Sequence, residues 1–365
     1  MQLKIPEYIQ LIAPYVPGKP IAALEREYGI RDSVKLASNE NPLGPSPKAL
    51  TAIRQSLVSL HRYPDGAGHL LTCKIAAHNG IEQANVVIGN GSDDIIALLV
   101  RALIQPGDRV VVPRPSFLMY DITAAAAGAA IDAVPLKNMA MDLDAMAAKV
   151  TADTRLVFLC NPNNPTGTVI SQAAFDGFMK RLPDGVIVVV DEAYIEFARK
   201  PDSLKTGRPS DLNRPLVTLR TFSKAYGLAG LRVGYGIMPV SLAEVLNRVR
   251  QPFNVNAVAQ VAAAAALDDR SFLDASVNLV HQGLDELYTA LARMGLTCFK
   301  TEANFFLIDV GRSADTVFEA MLHQGVIVRS MRSYGYPDYI RVNVGLAEEN
   351  ERFLSALETV LSAYK

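Results

Sequence analysis

The sequence predicts an α/β fold with a mostly parallel central sheet between two layers of helices, followed by a smaller α+β domain. Short β-rich runs alternate with helical patterns through the middle of the chain, as they do in parallel sheets covered by helices. Some of these runs, such as VIVVV at 186–190, are apolar throughout, which is typical of strands buried on both faces. Near Gln251 and Pro252 the alternation ends, and a long helical stretch precedes several short strands.

The first part of the chain contains seven predicted strands. Helical patterns occupy most of the intervals between them, and a helix is the usual connection between parallel strands. In chain order the strands are NVVI (85–88), RVVVP (109–113), IDAVPL (131–136), RLVFL (155–159), VIVVV (186–190), PLVTLRT (215–221) and RVGYGIM (232–238).

The second part is predicted as one long helix at about 256–294, the strands TCFK, NFFLIDV, VIVRS and YIRVNVG, and a closing helix. The first 34 residues are rich in proline and fit neither part. We therefore expect an arm at 1–34 that packs on the small domain or on a partner chain, a large domain at 35–251 and a small domain at 252–365.

Composition favours a globular protein that acts on small molecules. Half of the 365 residues are hydrophobic, so a large core can form without disulfides. The net charge of −1 comes from mixed charges without blocks, which indicates neither nucleic acid nor an anionic membrane as a partner. Three scattered cysteines and five unclustered histidines indicate no metal site. Without a secretory or membrane-spanning apolar run, we predict a soluble, untargeted, cytoplasmic protein.

A carboxylate follows the central apolar strand in the stretch VIVVVDEAY, where Asp191 comes directly after VIVVV. Ligands of open α/β sheets bind at the carboxyl ends of the strands, and a buried carboxylate requires a cation or a metal. The same pattern is typical of a helix-capping aspartate, or of the acidic pair that holds the metal of a P-loop NTPase. Because the chain has no G-x-x-x-x-G-K-[ST] loop, the NTPase interpretation is set aside.

Two polar loops follow other strands. GNGSDD at 89–94 precedes the helical run IIALLVRALI, so Ser92 and the backbone amides are placed to bind a phosphate at a helix N-terminus. Asp94 stands where a dinucleotide-binding loop has glycine or alanine, and plain helix capping remains an alternative. NPNNPTG at 161–167 predicts a fixed loop whose asparagines either bind a ligand or form Asx-turns. The preceding Cys160 is interpreted as a buried apolar residue.

A lysine with unusual neighbours lies in TLRTFSKAYGLAGLRVGY at 218–235. Ser223 and Arg232 offer a hydroxyl and a guanidinium to an anion on either side of Lys224, although most lysines are simply solvated. Three loops after three strands thus supply phosphate donors, a buried carboxylate, an amide donor and an amine nucleophile. Pyridoxal phosphate matches all four, since it carries a phosphate, a ring nitrogen, a phenolic oxygen and an aldehyde.

These motifs identify the chain as similar to the fold-type I pyridoxal-phosphate aminotransferases over essentially its whole length. The resemblance implies that Lys224 binds the cofactor aldehyde, that Asp191 pairs with the ring nitrogen and that Tyr194, with Asn164, contacts the ring oxygen. Lys224, Asp191 and Tyr194 are the implied catalytic residues. The remaining implied cofactor contacts are the phosphate ligands Ser92, Asp93, Ser223 and Arg232, the ring-stacking Phe117 of RPSFLMY, and Tyr63 of HRYPDGAG, which reaches the phosphate from the other subunit of a homodimer with shared active sites.

Within this family the N-terminal motifs resemble the histidinol-phosphate branch, which implies transamination between L-histidinol phosphate and 2-oxoglutarate in histidine biosynthesis. The implied substrate-binding residues are Tyr15 of PYVPGKP, Asn39 of SNENPLGPSP, Arg329 of VIVRS and Arg341 of YIRVNVG. A purely structural arginine at 341 remains an alternative, since it lies in a predicted strand. Aminotransferases of aromatic or many amino acids, and threonine-phosphate decarboxylases, share much of this pattern and remain alternative functions.

Overall fold

The computed structural model describes residues 3–15 and 18–363, and within them it confirms the predicted α/β fold. The strands are β1 (Val34–Lys35), β2 (Val86–Gly89), β3 (Arg109–Arg114), β4 (Ala130–Pro135), β5 (Thr154–Cys160), β6 (Ile187–Asp191), β7 (Leu216–Thr221), β8 (Gly234–Ile237), β9 (Thr297–Phe299), β10 (Phe305–Asp309), β11 (Val326–Ile327), β12 (Arg329–Ser330) and β13 (Tyr339–Asn343).

The α-helices are α1 (Glu7–Gln10), α2 (Ile21–Tyr28), α3 (Pro47–Ser56), α4 (His69–Asn79), α5 (Ser92–Leu103), α6 (Met119–Ala126), α7 (Leu143–Lys149), α8 (Gln172–Met179), α9 (Val240–Val249), α10 (Ala257–Leu267), α11 (Arg270–Arg293), α12 (Ala314–His323) and α13 (Ala347–Ser362). Among the described residues, no helix is both long and apolar enough to cross a bilayer.

The seven strands predicted in the first part of the chain form one sheet in the order β2-β8-β7-β6-β5-β3-β4. All neighbours pair in parallel except β8, which is antiparallel to both β2 and β7. The other six strands therefore share one direction, and their carboxyl ends lie at the same edge. Because β8 runs the other way, its amino end lies at that edge too.

The core lies on both faces of this sheet, which explains why its central strands contain long apolar runs. Successive side chains of a strand point to opposite faces. On β5, Leu156 and Phe158 pack with helix α5 residues on one face, while Val157 and Leu159 pack with Phe175 and Phe178 on the other. Both faces of β5 are therefore covered, and its residues from Leu156 to Leu159 are all apolar and buried.

The single long helix predicted at 256–294 is wrong, since α10 and α11 are separated at Asp268 and Asp269. The Asp269 carboxylate accepts hydrogen bonds from Ser46 Oγ (2.6 Å) and Lys48 N (3.4 Å) at the start of α3. A carboxylate is favoured at a helix N-terminus, whereas aspartate is a weak residue in a helix interior. The tertiary contact with α3 thus accounts for the break.

The C-terminal part contains an antiparallel sheet in the order β12-β13-β10-β9, which α11 and α12 contact. Helix α13 packs against these two helices and against β1 and β11. The predicted strand VIVRS is divided at Val328 between two sheets. Its first half, β11, pairs in parallel with β1, and its second half, β12, pairs with β13. The local sequence could not predict this division, because it depends on the distant partners of the two halves.

The predicted N-terminal arm contacts both the first part and the C-terminal part of the chain. Helix α1 lies against α6, and Leu24 of α2 packs with Leu322 and Ile327 in a separate cluster. Helix α10, which follows the predicted boundary at 251, packs against α3 and α4 rather than on the small sheet. The division into 1–34, 35–251 and 252–365 stays a prediction.

Candidate active site

One cavity at the shared edge of the sheet contains most of the residues singled out from the sequence. Its volume is about 270 Å³, and it lies where β2, β3, β5, β6 and β7 end and where β8 begins. Nine of the predicted residues line it, although they come from five separate stretches of the chain: Ser92, Asp93, Phe117, Asn164, Asp191, Tyr194, Ser223, Lys224 and Arg232.

Asp191 supplies a buried carboxylate, only 3% exposed, to this cavity. Burial raises its pKa to about 6, and this effect outweighs the hydrogen bond from Tyr120, which lowers the pKa. Tyr120 Oη donates to Asp191 Oδ2 at 2.7 Å, and the backbone N–H of Ala193 donates to Oδ1 at 3.2 Å. The carboxylate is thus oriented by protein donors, and it lies within a site that favours a cationic partner.

Lys224 supplies an amine that is poorly hydrated. Its Nζ donates to the carbonyl oxygen of Ser38 at 3.2 Å and lies 5.7 Å from the centre of the Tyr194 ring. Burial, helped by the positive charge of Arg341, lowers the pKa of Lys224 to about 8. A large fraction of a neutral, nucleophilic amine is therefore present at mildly alkaline pH.

An anion cradle forms where α5 begins, beside the loop that precedes β8. Arg232, with φ of 56°, directs its guanidinium towards Ser223 Oγ (3.5 Å) and Asp93 Oδ2 (3.5 Å). Gly91 has φ of 81°, and a Cβ added there would lie 2.7 Å from Arg232 Nη2, so only glycine allows this approach. The helix N-terminus, the two serine hydroxyls of 92 and 223, and Arg232 together favour a phosphate.

Asp94 does not occupy the cradle, despite its place in the GNGSDD stretch. Its Oδ2 accepts hydrogen bonds from the backbone N–H of Asn90 (3.0 Å) and from Asn254 Nδ2 (2.7 Å). The side chain therefore holds the turn between β2 and α5 and ties it to the loop before α10. These two hydrogen bonds explain why position 94 has an aspartate, where a dinucleotide-binding loop has glycine or alanine.

The asparagines of the NPNNPTG loop have different surroundings, and ligand binding by the loop stays a prediction. Asn161 and Asn163 stabilise the loop itself, since Asn161 Oδ1 accepts from Ile170 N (2.7 Å) and Asn163 Nδ2 donates to Thr166 Oγ1 (3.0 Å). Asn164 instead lines the cavity, where its Oδ1 accepts a hydrogen bond from Arg341 Nη1. Only one of the three asparagines is thus available to a ligand.

Arg341 is a buried guanidinium, 7% exposed, without a carboxylate partner among the described residues. Apart from Asn164, it donates to the carbonyl oxygen of Ala37 at 3.0 Å, and its Nε has no hydrogen-bond partner in that part of the chain. The guanidinium also lies 5.1 Å from the centre of the Phe305 ring. A buried cation with only neutral partners favours an incoming anion.

Known proteins with similar sequences show which family the chain belongs to. The profile of the family "Aminotransferase class I and II" matches residues 31–357. The chain belongs to this aminotransferase family. The histidinol-phosphate aminotransferase of Moorella thermoacetica is 48% identical over 362 residues, which cover 98% of this chain and 93% of that protein. Histidinol-phosphate aminotransferase 2 of Pseudomonas aeruginosa is 48% identical over 97% of this chain and 96% of its own.

A solved structure supports the same relationship. The histidinol-phosphate aminotransferase of Sinorhizobium meliloti, in complex with pyridoxal-5'-phosphate, matches with a TM-score of 0.91 and 28% identity over 100% of this chain and 99% of that one. The predicted fold type of the aminotransferase is thereby confirmed.

The cavity of this aminotransferase fits such a cofactor by the chemistry of its own side chains. The anion cradle suits the phosphate, and the Asp191 carboxylate suits a protonated ring nitrogen. Asn164 and Tyr194 add polar groups to the same cavity, and Lys224 supplies the amine. Phe117 also lines the cavity, with its ring edge-on to Tyr120 at 5.6 Å.

Asn39 contacts the cavity through Tyr194. It has φ of 55°, and its Nδ2 donates to Tyr194 Oη at 3.0 Å. Its backbone is held from the small sheet, because Asn343 Oδ1 accepts from Asn39 N (3.0 Å) and Asn304 Nδ2 donates to Asn39 O (3.1 Å). The structure thus brings Asn39 to a predicted cofactor residue, and its predicted contact with substrate stays a prediction.

Five predicted residues of the aminotransferase do not line the cavity: Asn39 and Arg341 contact its lining residues Tyr194 and Asn164, whereas Tyr15, Arg329 and Tyr63 make no such contact among those described above. Tyr15 and Arg329 line a second, largely apolar cavity of about 430 Å³ between the N-terminal segment and α6, and Arg329 lies opposite Arg341 in the strand register. Tyr63 is 83% exposed and stacks on Phe253 at 4.8 Å. The substrate role of Tyr15 and Arg329 and the role of Tyr63 in a partner's site stay predictions.

Several residues of the site were missed in the sequence. Tyr120 was the one with a local signal, since it lies three positions after the predicted Phe117, at the start of α6, and its backbone N–H donates to the Phe117 carbonyl oxygen (3.2 Å). Ser38 adjoins the predicted Asn39, but nothing in its sequence indicates that its carbonyl oxygen accepts from Lys224. The buried Asn304 and Asn343 carried no recognisable signal, because their partner Asn39 is more than 260 residues away in the chain.

Proposed function

We propose that the chain transfers the amino group between L-histidinol phosphate and 2-oxoglutarate with the cofactor pyridoxal-5'-phosphate, giving imidazole acetol phosphate and L-glutamate. The observation that carries this proposal is the convergence of Lys224, Asp191 and the anion cradle of Arg232 on one cavity. The substrate is proposed from the relatives, whose names specify histidinol phosphate.

The chemistry is divided between the cofactor and the protein. When bound, pyridoxal phosphate supplies an aldehyde that takes up amines and a ring that accepts electron density. Asp191 would hold the ring nitrogen in its protonated form, and Tyr194 with Asn164 would hold the ring oxygen. Lys224, with its pKa lowered to about 8 by burial, would move a proton to and from the reacting carbon as a general base and acid.

Arg341 is proposed to bind the anionic group of each substrate. Histidinol phosphate has no α-carboxylate, so the guanidinium would take its phosphate in one half-reaction and a carboxylate of glutamate in the other. The absence of any carboxylate on Arg341 among residues 3–15 and 18–363 supports this role. To bind the substrate, Arg341 would exchange its bond to the Ala37 carbonyl for stronger, charge-assisted ones.

A lysine substitution tests the covalent role. We expect Lys224→Ala protein to lose both the cofactor linkage that borohydride fixes and all amino transfer, while Lys180→Ala, which changes an exposed lysine, keeps both. Mass spectrometry after borohydride treatment reads the linkage directly. Amino transfer retained by the Lys224→Ala protein would rule the assignment out.

An arginine substitution tests the substrate site. Arg341→Ala should lower kcat/KM for both substrates by about 10- to 100-fold, because charge-assisted hydrogen bonds contribute about 1.5–3 kcal/mol. The cofactor absorbance should stay unchanged. A protein that instead lost cofactor and kept its substrate KM would show that Arg341 had been assigned to the wrong ligand.

An aromatic or broad-range amino-acid aminotransferase is the second candidate. The cavity of about 430 Å³ supports it, since apolar and aromatic side chains such as Tyr8, Leu118 and Ile122 line it beside Arg329. Measuring kcat/KM for histidinol phosphate, phenylalanine and aspartate with 2-oxoglutarate separates the two candidates. A phenylalanine value above that of histidinol phosphate would favour the second.

We also propose that two copies of the chain form a homodimer with shared sites. An exposed apolar surface supports it, with residues that a monomer would leave in water: Leu57 (49% exposed), Val58 (82%), Leu60 (57%), Tyr63 (83%), Leu70 (58%) and Phe253 (45%). In a dimer this surface would be buried, and Tyr63 would reach the phosphate of the partner's cofactor.

Mixing two defective variants tests the sharing. A dimer of one Lys224→Ala chain and one Tyr63→Ala chain has one site in which both residues are intact if Tyr63 acts across the interface. We expect mixing to raise cofactor retention and activity above either variant alone. If Tyr63 acts within its own chain, each site keeps one defect and mixing restores nothing.

A cytoplasmic location is proposed as well, supported by the free thiols of Cys73, Cys160 and Cys298.

A further inference from the structure

Tyr120 has a buried hydroxyl that contacts the central carboxylate of the site. The residue is 1% exposed and lies in the first turn of α6. Its Oη donates to Asp191 Oδ2 at 2.7 Å, across 71 positions of the chain. Within residues 3–15 and 18–363, this phenol and the backbone N–H of Ala193 are the donors to the Asp191 carboxylate.

Packing alone explains the ring of Tyr120 but not its hydroxyl. The ring stacks on Phe158, with centroids 4.7 Å apart and planes at 8°, and meets Phe117 edge-on. A phenylalanine would make the same ring contacts. A buried hydroxyl without a partner is unfavourable, whereas one that donates to a carboxylate makes a strong, charge-assisted bond.

We propose that Tyr120 is a positioning residue whose hydroxyl fixes the orientation of the Asp191 carboxylate and favours its charged form. The inference rests on the proposed function, because that carboxylate is the group proposed to hold the protonated ring nitrogen of pyridoxal phosphate. A carboxylate in the wrong rotamer, or a neutral carboxyl, would hold that nitrogen less well. Tyr120 itself need not contact the cofactor.

The Tyr120 hydroxyl opposes burial and the nearby negative charges, which raise the pKa of the Asp191 carboxyl group. Burial raises the pKa of Asp191, and the negative charges of Asp93 and Glu192 act in the same direction, while the bond from Tyr120 lowers it. Burial and the nearby Asp191 charge also raise the pKa of Tyr120 far above its usual range, so the phenol remains a donor. The titratable groups that face Asp191 are Tyr120, Cys160, Tyr194, Asp93 and Glu192.

The substitution Tyr120→Phe removes the hydroxyl and keeps the ring. Cofactor-free protein is titrated with pyridoxal phosphate between pH 5 and pH 9, and the dissociation constant is followed by absorbance. We expect about tenfold weaker binding at pH 7, from the loss of one charge-assisted bond. Affinity falls as pH falls through the pKa of Asp191. Because Tyr120→Phe raises that pKa, the midpoint of this fall should move to higher pH.

Two controls separate positioning from a structural effect. Phe158→Leu disturbs the same aromatic stack without removing a donor, so it should lower the melting temperature and leave the pH midpoint unchanged. In an Asp191→Asn background, Tyr120→Phe should no longer change the dissociation constant, since its effect passes through Asp191. An effect of Tyr120→Phe that persists at full size in that background would overturn the proposal.

The outcomes also distinguish this inference from the proposed function. If the parent protein binds no pyridoxal phosphate, the proposed function fails. If the parent binds it and folded Tyr120→Phe protein shows the same dissociation constant and midpoint, the inference alone fails. Should Tyr120→Phe not fold, Tyr120→His keeps a ring N–H that can donate to Asp191. We expect its binding to stay within threefold of the parent, and a loss beyond tenfold in folded protein contradicts the role.

Discussion

Replacing Lys224 by methionine should stabilise the cofactor-free protein, even though it removes the proposed catalytic amine. Methionine keeps the length and most of the volume of the side chain, and it carries no charge. Burial lowers the pKa of Lys224 from 10.5 to about 8. The folded protein therefore disfavours the charged amine relative to the unfolded chain, and removing that charge relieves an unfavourable contribution.

The expected change in the free energy of unfolding can be calculated from the lowered pKa of Lys224. A difference between 10.5 and about 8 corresponds to about 3.4 kcal/mol at 1.36 kcal/mol per pH unit. The hydrogen bond from Lys224 Nζ to Ser38 O is lost as well, which costs about 1 kcal/mol. We therefore expect Lys224→Met to raise the free energy of unfolding by about 2 kcal/mol at pH 7.

The stability gained by Lys224→Met should decrease as pH rises. For a lysine with a lowered pKa, the destabilisation is fully present below about 8 and disappears as pH rises towards 10.5. The advantage of Lys224→Met should thus vanish near pH 10, where the lost hydrogen bond cancels the remaining gain.

Urea unfolding of the cofactor-free proteins, followed by circular dichroism at pH 7 and pH 10, measures both values. Lys180→Met changes an exposed lysine and should alter stability by less than about 0.5 kcal/mol. The reasoning is refuted if Lys224→Met is no more stable than the parent at pH 7, or if its gain is the same at both pH values.

Two further substitutions test contacts that support the site. Arg220→Met should lower the free energy of unfolding by about 3–5 kcal/mol, because it leaves the fully buried Glu192 carboxylate without its ion-pair partner at 2.6 Å. Arg270→Met, which breaks an exposed pair with Asp274, should cost less than about 1 kcal/mol, and equal losses in urea unfolding would contradict the role of burial. Gly167→Ala places a Cβ 1.7 Å from Thr301 Oγ1, whereas the same change at Gly80, with a similar φ, meets nothing within 4 Å. We expect Gly167→Ala to be at least about 1–3 kcal/mol more destabilising than Gly80→Ala, and a smaller difference would mean that the loop adapts to the added methyl group.

The strands and most of the site could be predicted from the sequence, because both follow from local patterns. Apolar runs mark strands buried on two faces, and polar loops directly after such strands must meet at one edge of a parallel sheet. Asp191 is the last residue of β6, and Asn164 and Lys224 lie in the loops after β5 and β7, so their approach to one cavity needed no knowledge of side-chain packing.

The boundaries of several elements depended on distant partners instead. The break between α10 and α11 depends on Ser46, 223 positions from Asp269. The division of VIVRS depends on β1 for one half and β13 for the other. A local pattern indicates which side chains are buried, but it does not identify the residue they contact.

The sequence by itself determined the class of sheet and the chemical groups that reach its carboxyl edge, since periodicity and turn residues act over a few positions. Only the tertiary structure decided how those groups are tuned. It placed Tyr120 on Asp191, the Ser38 carbonyl on Lys224 and Asn164 on Arg341. These contacts join residues 71 to 186 positions apart, and the burial that changes the pKa values of Asp191 and Lys224 exists only once the chain has closed around them.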